Sequence, residues 1–302
     1  MELNSFQEKL ANVLPQIEIR FNEPMSRHTS FRIGGAAEAM AFPKSEEELA
    51  QLLKVSKELD IHCAILGAGT NVLAPDAGVP GLVVCLKDCL NGMELVGEGR
   101  LRVMAGVTMS RAAVFAANHD LSGLEFAHGI PGTVGGGVYM NAGAYGGEIS
   151  QIFIQVSVMD KAGQLHVRTR EEMDFCYRHS RLEETGEIVT CAVFQLTDAP
   201  QEQVKQRMKE LQSRRIASQP LDYPSAGSAF KRPAGGYAAA LIDQAGLKGF
   251  RVGNAAISEK HAGFAINLGG ATAQDVKELL RQTSDKVYEN SGIRLEPEIR
   301  IW

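Results

Sequence analysis

No stretch of the chain approaches the run of about eighteen apolar residues that a membrane-spanning helix needs. The first ten residues, MELNSFQEKL, have no apolar core of the signal-peptide kind, so a cytoplasmic protein with no membrane partner is expected. Positive charge is in short supply. The 31 Lys and Arg stand against 36 Asp and Glu, a net charge of −5, which argues against a broad basic surface for nucleic acid. Cysteine offers no metal or redox pair. The five positions, Cys63, Cys85, Cys89, Cys176 and Cys191, include no CxxC, and the Cys85-to-Cys89 spacing lacks the second half of a zinc site. Most lie in apolar runs such as LVVCL and IVTCAVFQL, which predicts reduced, buried thiols. The seven histidines form neither HExxH nor HxH, so no protein-held catalytic metal is expected. Two nucleotide motifs fail as well. There is no Gly-Lys dipeptide for a Walker A loop, and GAGTNV at 67–72 has Val72 where GxGxxG needs its third glycine.

What is present is glycine, concentrated. Residues 129–147, GIPGTVGGGVYMNAGAYGG, hold eight glycines in nineteen positions. Ordering so many glycines is entropically costly, and a fold retains them where backbone must come close to something else. The run contains Ile130, Val134, Val138 and Tyr139 rather than the serine filler of a linker. It therefore reads as a loop and a short helix start that present backbone N–H groups to an anion. A second glycine turn, GAGTN at 67–71, follows the strand-like IHCAIL. Two such turns suit a long ligand with two phosphates.

The chain is long enough for two or three domains. Residues 1–20 predict a short helix stopped by Pro15, and RHTSFRIGG (27–35) ends in a glycine pair that predicts a tight turn. Ser45 with Glu48 caps a helix over 45–60. Strands are expected at 61–66 and 81–86, and a hairpin joins 94–96 to 101–105. Thr108 caps an Ala-rich helix to Asn118, a second hairpin covers 152–160 and 164–170, and another strand covers 188–196. A charged helix, 201–215, leads into a Gly-, Pro- and Ser-rich segment at 217–236. Beyond it come a helix at 237–245 closed by Gly246, a strand at 263–268, a helix from Thr272 to Ser291 ended by Gly292, and a last strand through 293–302. The order is α+β, with the main boundary between 197 and 218.

The ordered set RHTSFRIGG, ILGAGTNVL, GIPGTVGGGVYMNAGAYGGEI, CYRHS, GSAFKRP, SEKHAGFAIN and LEPEIR resembles the MurB family, the UDP-N-acetylenolpyruvoylglucosamine reductases of peptidoglycan synthesis, in its shorter type II branch. The likeness runs from about Asn22 to Arg300. It implies an FAD-binding domain of the vanillyl-alcohol oxidase (PCMH) type over 1–196, with α/β subdomains at about 1–88 and 89–196. A connecting helix at 197–217 and an α/β substrate-binding domain at 218–302 would follow. The implied reaction is NADPH-dependent, FAD-mediated reduction of an enolpyruvyl ether, with FAD bound non-covalently and the protein acting as a monomer. Leu66, Gly67, Ala68, Gly69, Thr70, Asn71, Gly129, Ile130, Pro131, Gly132, Thr133, Gly136 and Asn141 would contact FAD. By the same likeness Arg178 would bind the substrate carboxylate, Ser228 would donate the proton and Glu298 would assist. Tyr223, Lys231 and Arg300 would contact the rest of the UDP-sugar.

Chemistry supports those types: hydride addition leaves enol-like negative charge, which needs fixed cationic or hydrogen-bonding partners and a proton donor. Four positions depart from the family pattern: Arg232 for Asn, Thr70 for Ser, Gly137 for Ala, and Ala256 in GNAAIS. A flavin-dependent sugar or alcohol oxidase of the same fold is the alternative, and a nucleotide-binding protein without catalysis a third reading. Neither has a use for GSAFKRP together with PEIR.

Overall fold

The computed structural model describes residues 5–302, so the first four residues of the expected N-terminal helix lie outside the described ones. That helix is Ser5–Val13, followed by two strands that the sequence patterns do not announce, Glu18–Pro24 and Ala36–Phe42. The first alternates polar residues at modest burial, and the second is largely alanine, a poor strand former.

Two compact units emerge, and they are not the linear segments expected above. The first holds the described residues through Asn22 together with Glu38–Ala68 and Pro80–Ser213; the second holds Glu23–Ala37, Gly69–Val79 and Arg214–Trp302. The chain thus changes unit inside the first glycine turn, between Ala68 and Gly69.

The first unit has two hydrophobic cores. One gathers Leu10, Leu49, Leu52, Leu82 and Val84 beneath the helix Glu46–Glu58. Ser45 caps that helix by accepting from the Glu48 N–H at 3.2 Å. Beside it, strand Cys63–Leu66 runs parallel to Val79–Cys85 with Cys63 opposite Leu82. The other core lies under a five-stranded antiparallel sheet ordered Leu165–Thr169, Phe153–Met159, Ile188–Gln195, Arg100–Met104, Met93–Leu95. Leu101 and Val103, or Val156 and Val158, point inward at alternate positions, the period-two pattern of a one-sided sheet. The helices Met109–Ala117 and Val134–Tyr139 cover that face. Both hairpins stand within a residue or two of their expected places.

In the second unit a four-stranded antiparallel sheet runs Ser225–Ser228, Phe264–Asn267, Ala255–Ile257, Arg251–Val252. The helix Ala273–Ser291 packs on it through Val276, Leu279, Leu280 and Val287. A Thr272/Asp275 capping box starts this helix and Gly292 at φ 72° ends it, as its sequence announces. Asp76 adds a carboxylate at the same N-terminus, accepting from Ala273 N–H at 2.8 Å and Gln274 N–H at 3.1 Å. The last strand is far shorter than expected. Only Arg300–Ile301 is strand, paired in parallel with Val72–Leu73, and the preceding residues bond singly to the 229–231 segment instead.

The glycine pair of RHTSFRIGG is likewise not a turn. The turn sits upstream, where Arg32 at φ 55° bonds back to Thr29. Gly34 and Gly35 are needed for close approach: a Cβ on them would stand 2.6 Å from Ala74 Cβ and 2.3 Å from Asp76 O. All five thiols are free. Burial pushes Cys63 up to about 11 and Cys89 up to about 12. Against the expectation of buried thiols, only Cys85 and Cys191 are buried; Cys63 and Cys89 are half-buried and Cys176 is exposed.

Candidate functional site

In the first unit the start of the first glycine turn, Gly67 and Ala68, lies against the second. Strand Cys63–Leu66 delivers the chain to Gly67, where an added Cβ would stand 2.6 Å from Thr133 Oγ1 of the second turn. Thr133 is 2% exposed and caps the helix Val134–Tyr139, accepting from the Gly136 N–H at 3.4 Å. The N–H groups of Gly67, Ala68, Gly132 and Thr133 donate to no protein acceptor among the described residues. A folded protein leaves few half-buried amides unpaired, and a cluster of them is a site for an anion.

The three consecutive glycines of the helix have different reasons. Gly135 lies against Ala105, with a would-be Cβ at 3.0 Å from Ala105 Cβ and its own N–H bonded to Ala105 O at 2.9 Å. A Cβ on Gly137 would meet the flexible Met109 side chain, with Sδ at 2.8 Å. Gly136 is exposed, and a Cβ there would meet only Thr133 Oγ1 at 3.6 Å. Of the three, Gly136 alone faces largely open space. Pro131 is exposed, Gly129, Ile130 and Gly132 are half-buried, and Leu66 anchors the first turn from the core. His128, beside Gly129, is pushed down by burial and lies 3.3 Å from Ser110 Oγ.

Asn141 has an internal task. It is 1% exposed, its Oδ1 accepts from Ser150 N–H at 2.9 Å, and its Nδ2 donates to Cys176 O at 3.0 Å. Its side chain is spent on protein partners, so its amide orders the CYRHS loop. That loop is a turn in which Cys176 and His179 exchange both backbone bonds at 3.3 Å. Arg178 occupies the turn at φ 58°, left-handed backbone that suits glycine or asparagine better than arginine. An unfavourable residue kept in such a place points to a use for its side chain. The guanidinium is steadied by Gly143 O at 3.0 Å and by the Tyr177 ring at 5.2 Å.

In the second unit, Gly69 takes φ 61°, and a Cβ there would stand 2.0 Å from His28 O. Ser30 N–H bonds to Gly69 O at 3.1 Å while Ser30 Oγ donates to Ser225 O at 2.6 Å. RHTSFRIGG thereby braces the end of the first glycine turn, a role the sequence reading left unassigned. Thr70 and Asn71 are half-buried; Asn71 Nδ2 donates to Glu298 O at 3.1 Å, and Asn71 O accepts from Arg300 N–H at 2.9 Å.

Ser228 closes the strand Ser225–Ser228, exposed between buried Ala226 and Ala229, after Gly227 at φ 75° breaks the register. Its hydroxyl makes no hydrogen bond among the described residues. Ala229 N–H bonds to Gly263 O at 2.8 Å, and Ala229 O accepts from Glu298 N–H at 2.9 Å, so Ser228 and Glu298 flank one backbone contact. Leu295 and Ile299 are buried, Glu296 is exposed, and Glu298 and Arg300 are half-buried. Lys231 is tied at both ends to Glu296, by N–H to carbonyl at 2.8 Å and by an ion pair. Tyr223 is 48% exposed, and Arg232 stacks on the Tyr237 ring at 4.4 Å. Ala256 is buried in the sheet.

Comparison with known proteins agrees with this layout. Residues 37–168 match an FAD binding domain, and residues 219–302 match the C-terminal domain of UDP-N-acetylenolpyruvoylglucosamine reductase. The reductase of that name from Agathobacter rectalis is 42% identical, covering 98% of this chain and 98% of its own. Its counterpart from Caldanaerobacter subterraneus is 45% identical over 97% of each. The crystal structure of the reductase (MurB) from Thermus caldophilus superposes with a TM-score of 0.80 at 38% identity, over 95% of this chain and 99% of that one. The fold is the expected α+β one, an FAD-binding domain of the PCMH type followed by the MurB C-terminal domain. No helix among the described residues is long and apolar enough to cross a membrane. The chain belongs to the UDP-N-acetylenolpyruvoylglucosamine reductase (MurB) family.

Proposed function

We propose that this protein reduces UDP-N-acetylglucosamine enolpyruvate to UDP-N-acetylmuramate with NADPH, through FAD held non-covalently on the glycine turns. The observation that carries the reading is the cluster of unpaired amides at Gly67, Ala68, Gly132 and Thr133, roofed by no side chain at Gly136. Such a cradle fits a pyrophosphate, with Leu66, Gly129, Ile130 and Pro131 continuing the wall and Gly69, Thr70 and Asn71 extending the first turn. FAD, when bound, supplies the hydride that it receives from NADPH.

The protein's own groups handle charge and the proton. Arg178 is the carboxylate ligand, its planar fork pre-aimed by a rigid turn, so that it offers two parallel N–H donors as charge develops. Ser228 gives its proton to the carbon next to that carboxylate and recovers one from solvent. Glu298 joins the polar lining around the enol-like charge, and Arg300, Lys231 and Tyr223 contact the nucleotide-sugar. Lys231 exchanges Glu296 for phosphate when it does so. The protein works as a monomer in the cytoplasm.

The direct test is to purify the protein, record its visible spectrum and follow NADPH with and without the enolpyruvyl sugar nucleotide. A flavin spectrum and NADPH loss that requires the substrate are expected. A colourless protein, or NADPH loss indifferent to the substrate, overturns the reading; rapid oxygen consumption with a free sugar supports the oxidase instead.

The glycine helix offers a finer check. Gly136→Ala is expected to stabilise the flavin-free protein by about 0.5–1 kcal/mol while weakening FAD retention roughly tenfold, because its methyl enters open space. Gly135→Ala is expected to cost about 1–3 kcal/mol through overpacking against Ala105. Denaturant unfolding and flavin content per chain measure both. Equal behaviour of the two variants would remove the distinction.

A further inference from the structure

Three alternate positions of the glycine-rich stretch each hold a different part of the CYRHS loop. Tyr139 O accepts from Ser180 Oγ at 2.7 Å, Asn141 Nδ2 donates to Cys176 O at 3.0 Å, and Gly143 O accepts from Arg178 Nη2 at 3.0 Å. Ser180 is fully buried and Asn141 1% exposed, so neither bond is contested by water. Asn141 is itself fixed: it sits at φ 42°, which asparagine tolerates, and its Oδ1 takes the Ser150 N–H. The left-handed turn at Arg178 is therefore clamped at both ends and at its side chain by a single five-residue segment.

We infer that Asn141, with Ser180, is a positioning residue for Arg178: the segment 139–143 is a bracket that holds the arginine in an otherwise unfavourable backbone conformation. The inference deepens the proposed function and rests on Arg178 being the carboxylate ligand. Geometry favours this role over cofactor contact, since the Asn141 amide has protein partners at both its oxygen and its nitrogen. Without the bracket the turn is free to leave the left-handed region, and the guanidinium moves from its aim. A displacement of about 1 Å at a group that binds the reacting part of a substrate costs on the order of a hundredfold in rate.

Asn141→Gly is the decisive variant, because glycine keeps the left-handed backbone without strain and removes only the side-chain bonds. Holoenzyme carrying it is expected to retain full FAD content and to be bleached by NADPH at a rate within about threefold of the parent. Return of the flavin absorbance on adding the enolpyruvyl sugar nucleotide is expected to slow about 30- to 100-fold. The double variant Asn141→Gly/Arg178→Ala is expected to be no slower than Arg178→Ala alone, since a bracket has nothing left to hold. Ser180→Ala, which cuts the other end, is expected to reproduce the pattern and decides the matter should Asn141→Gly fail to fold. Loss of FAD with normal turnover per bound flavin, or fully additive rate losses in the double variant, would overturn the inference. If Arg178→Ala itself leaves substrate turnover intact, the underlying assignment of Arg178 has failed; if Arg178→Ala is crippling and the bracket variants are not, only the bracket has.

Discussion

Ser228→Ala is expected to slow the return of flavin absorbance on substrate addition roughly 10³-fold or more, while bleaching by NADPH stays within a few-fold of the parent. The asymmetry follows from where the hydroxyl sits. Ser228 is exposed, its hydroxyl bonds to no described protein group, and it stands between Ala226 and Ala229, which are buried. Removing one exposed oxygen there alters stability by no more than about 0.5 kcal/mol. A serine hydroxyl is a weak acid, but the carbon that it would protonate is strongly basic once hydride has been added beside it. Stopped-flow measurement of the two half-reactions separates the roles. Equal slowing of both, or a large fall in melting temperature, would make Ser228 a structural residue and leave the proton donor unassigned.

Arg178→Ala should lower substrate turnover by about 10³-fold and Arg178→Lys by about 10²-fold, the range found when a preorganised charge-stabilising donor is removed. Lysine restores the charge without the fork, so it can make one bond where arginine makes two. Arg178→Gly supplies the complementary reading. It is expected to abolish turnover with a melting temperature equal to or above the parent's, because glycine accepts φ 58° without the strain that arginine bears. Turnover assays alongside thermal unfolding check the pair. A strongly destabilised Arg178→Gly with turnover in proportion to folded protein would return Arg178 to a structural role.

Much of this was legible because its causes are local. The helix Ala273–Ser291 was readable from Thr272, Asp275 and Gly292, and the helix Met109–Ala117 from Thr108, since caps act within one turn of chain. The glycine-rich stretch read as a loop and a short helix start, and it holds the short helix Val134–Tyr139. Causes that span the chain left little trace. Nothing near Gly34 or Gly35 indicates that Ala74 and Asp76 press against them, so close approach read as a turn. The short final strand took the appearance of a full one because PEIR alternates correctly, yet only Arg300–Ile301 has a partner strand to pair with. The candidate site divided the same way. Arg178, Ser228 and Glu298 were singled out by the family likeness and not by residue type alone, whereas the bond from Asn141 to Cys176, 35 residues away, left no local trace.

The interleaved chain has a consequence for how the molecule is made. Val72–Leu73 emerges from the ribosome early but finds its parallel partner only at Arg300–Ile301, and Asn71 waits across 227 residues for Glu298. The second unit therefore cannot close until residues 298–301 have been made. Residues Glu23–Ala37 and Gly69–Val79 can bond to each other early, as Gly35 does to Pro75 and Ser30 to Gly69, but their contacts with residues 298–301 wait for that segment, and contacts of such high sequence separation form slowly. The segment that carries Glu298 and Arg300 acts as a latch: until it has been made, Asn71 at the end of the first glycine turn lacks its bonds to both residues.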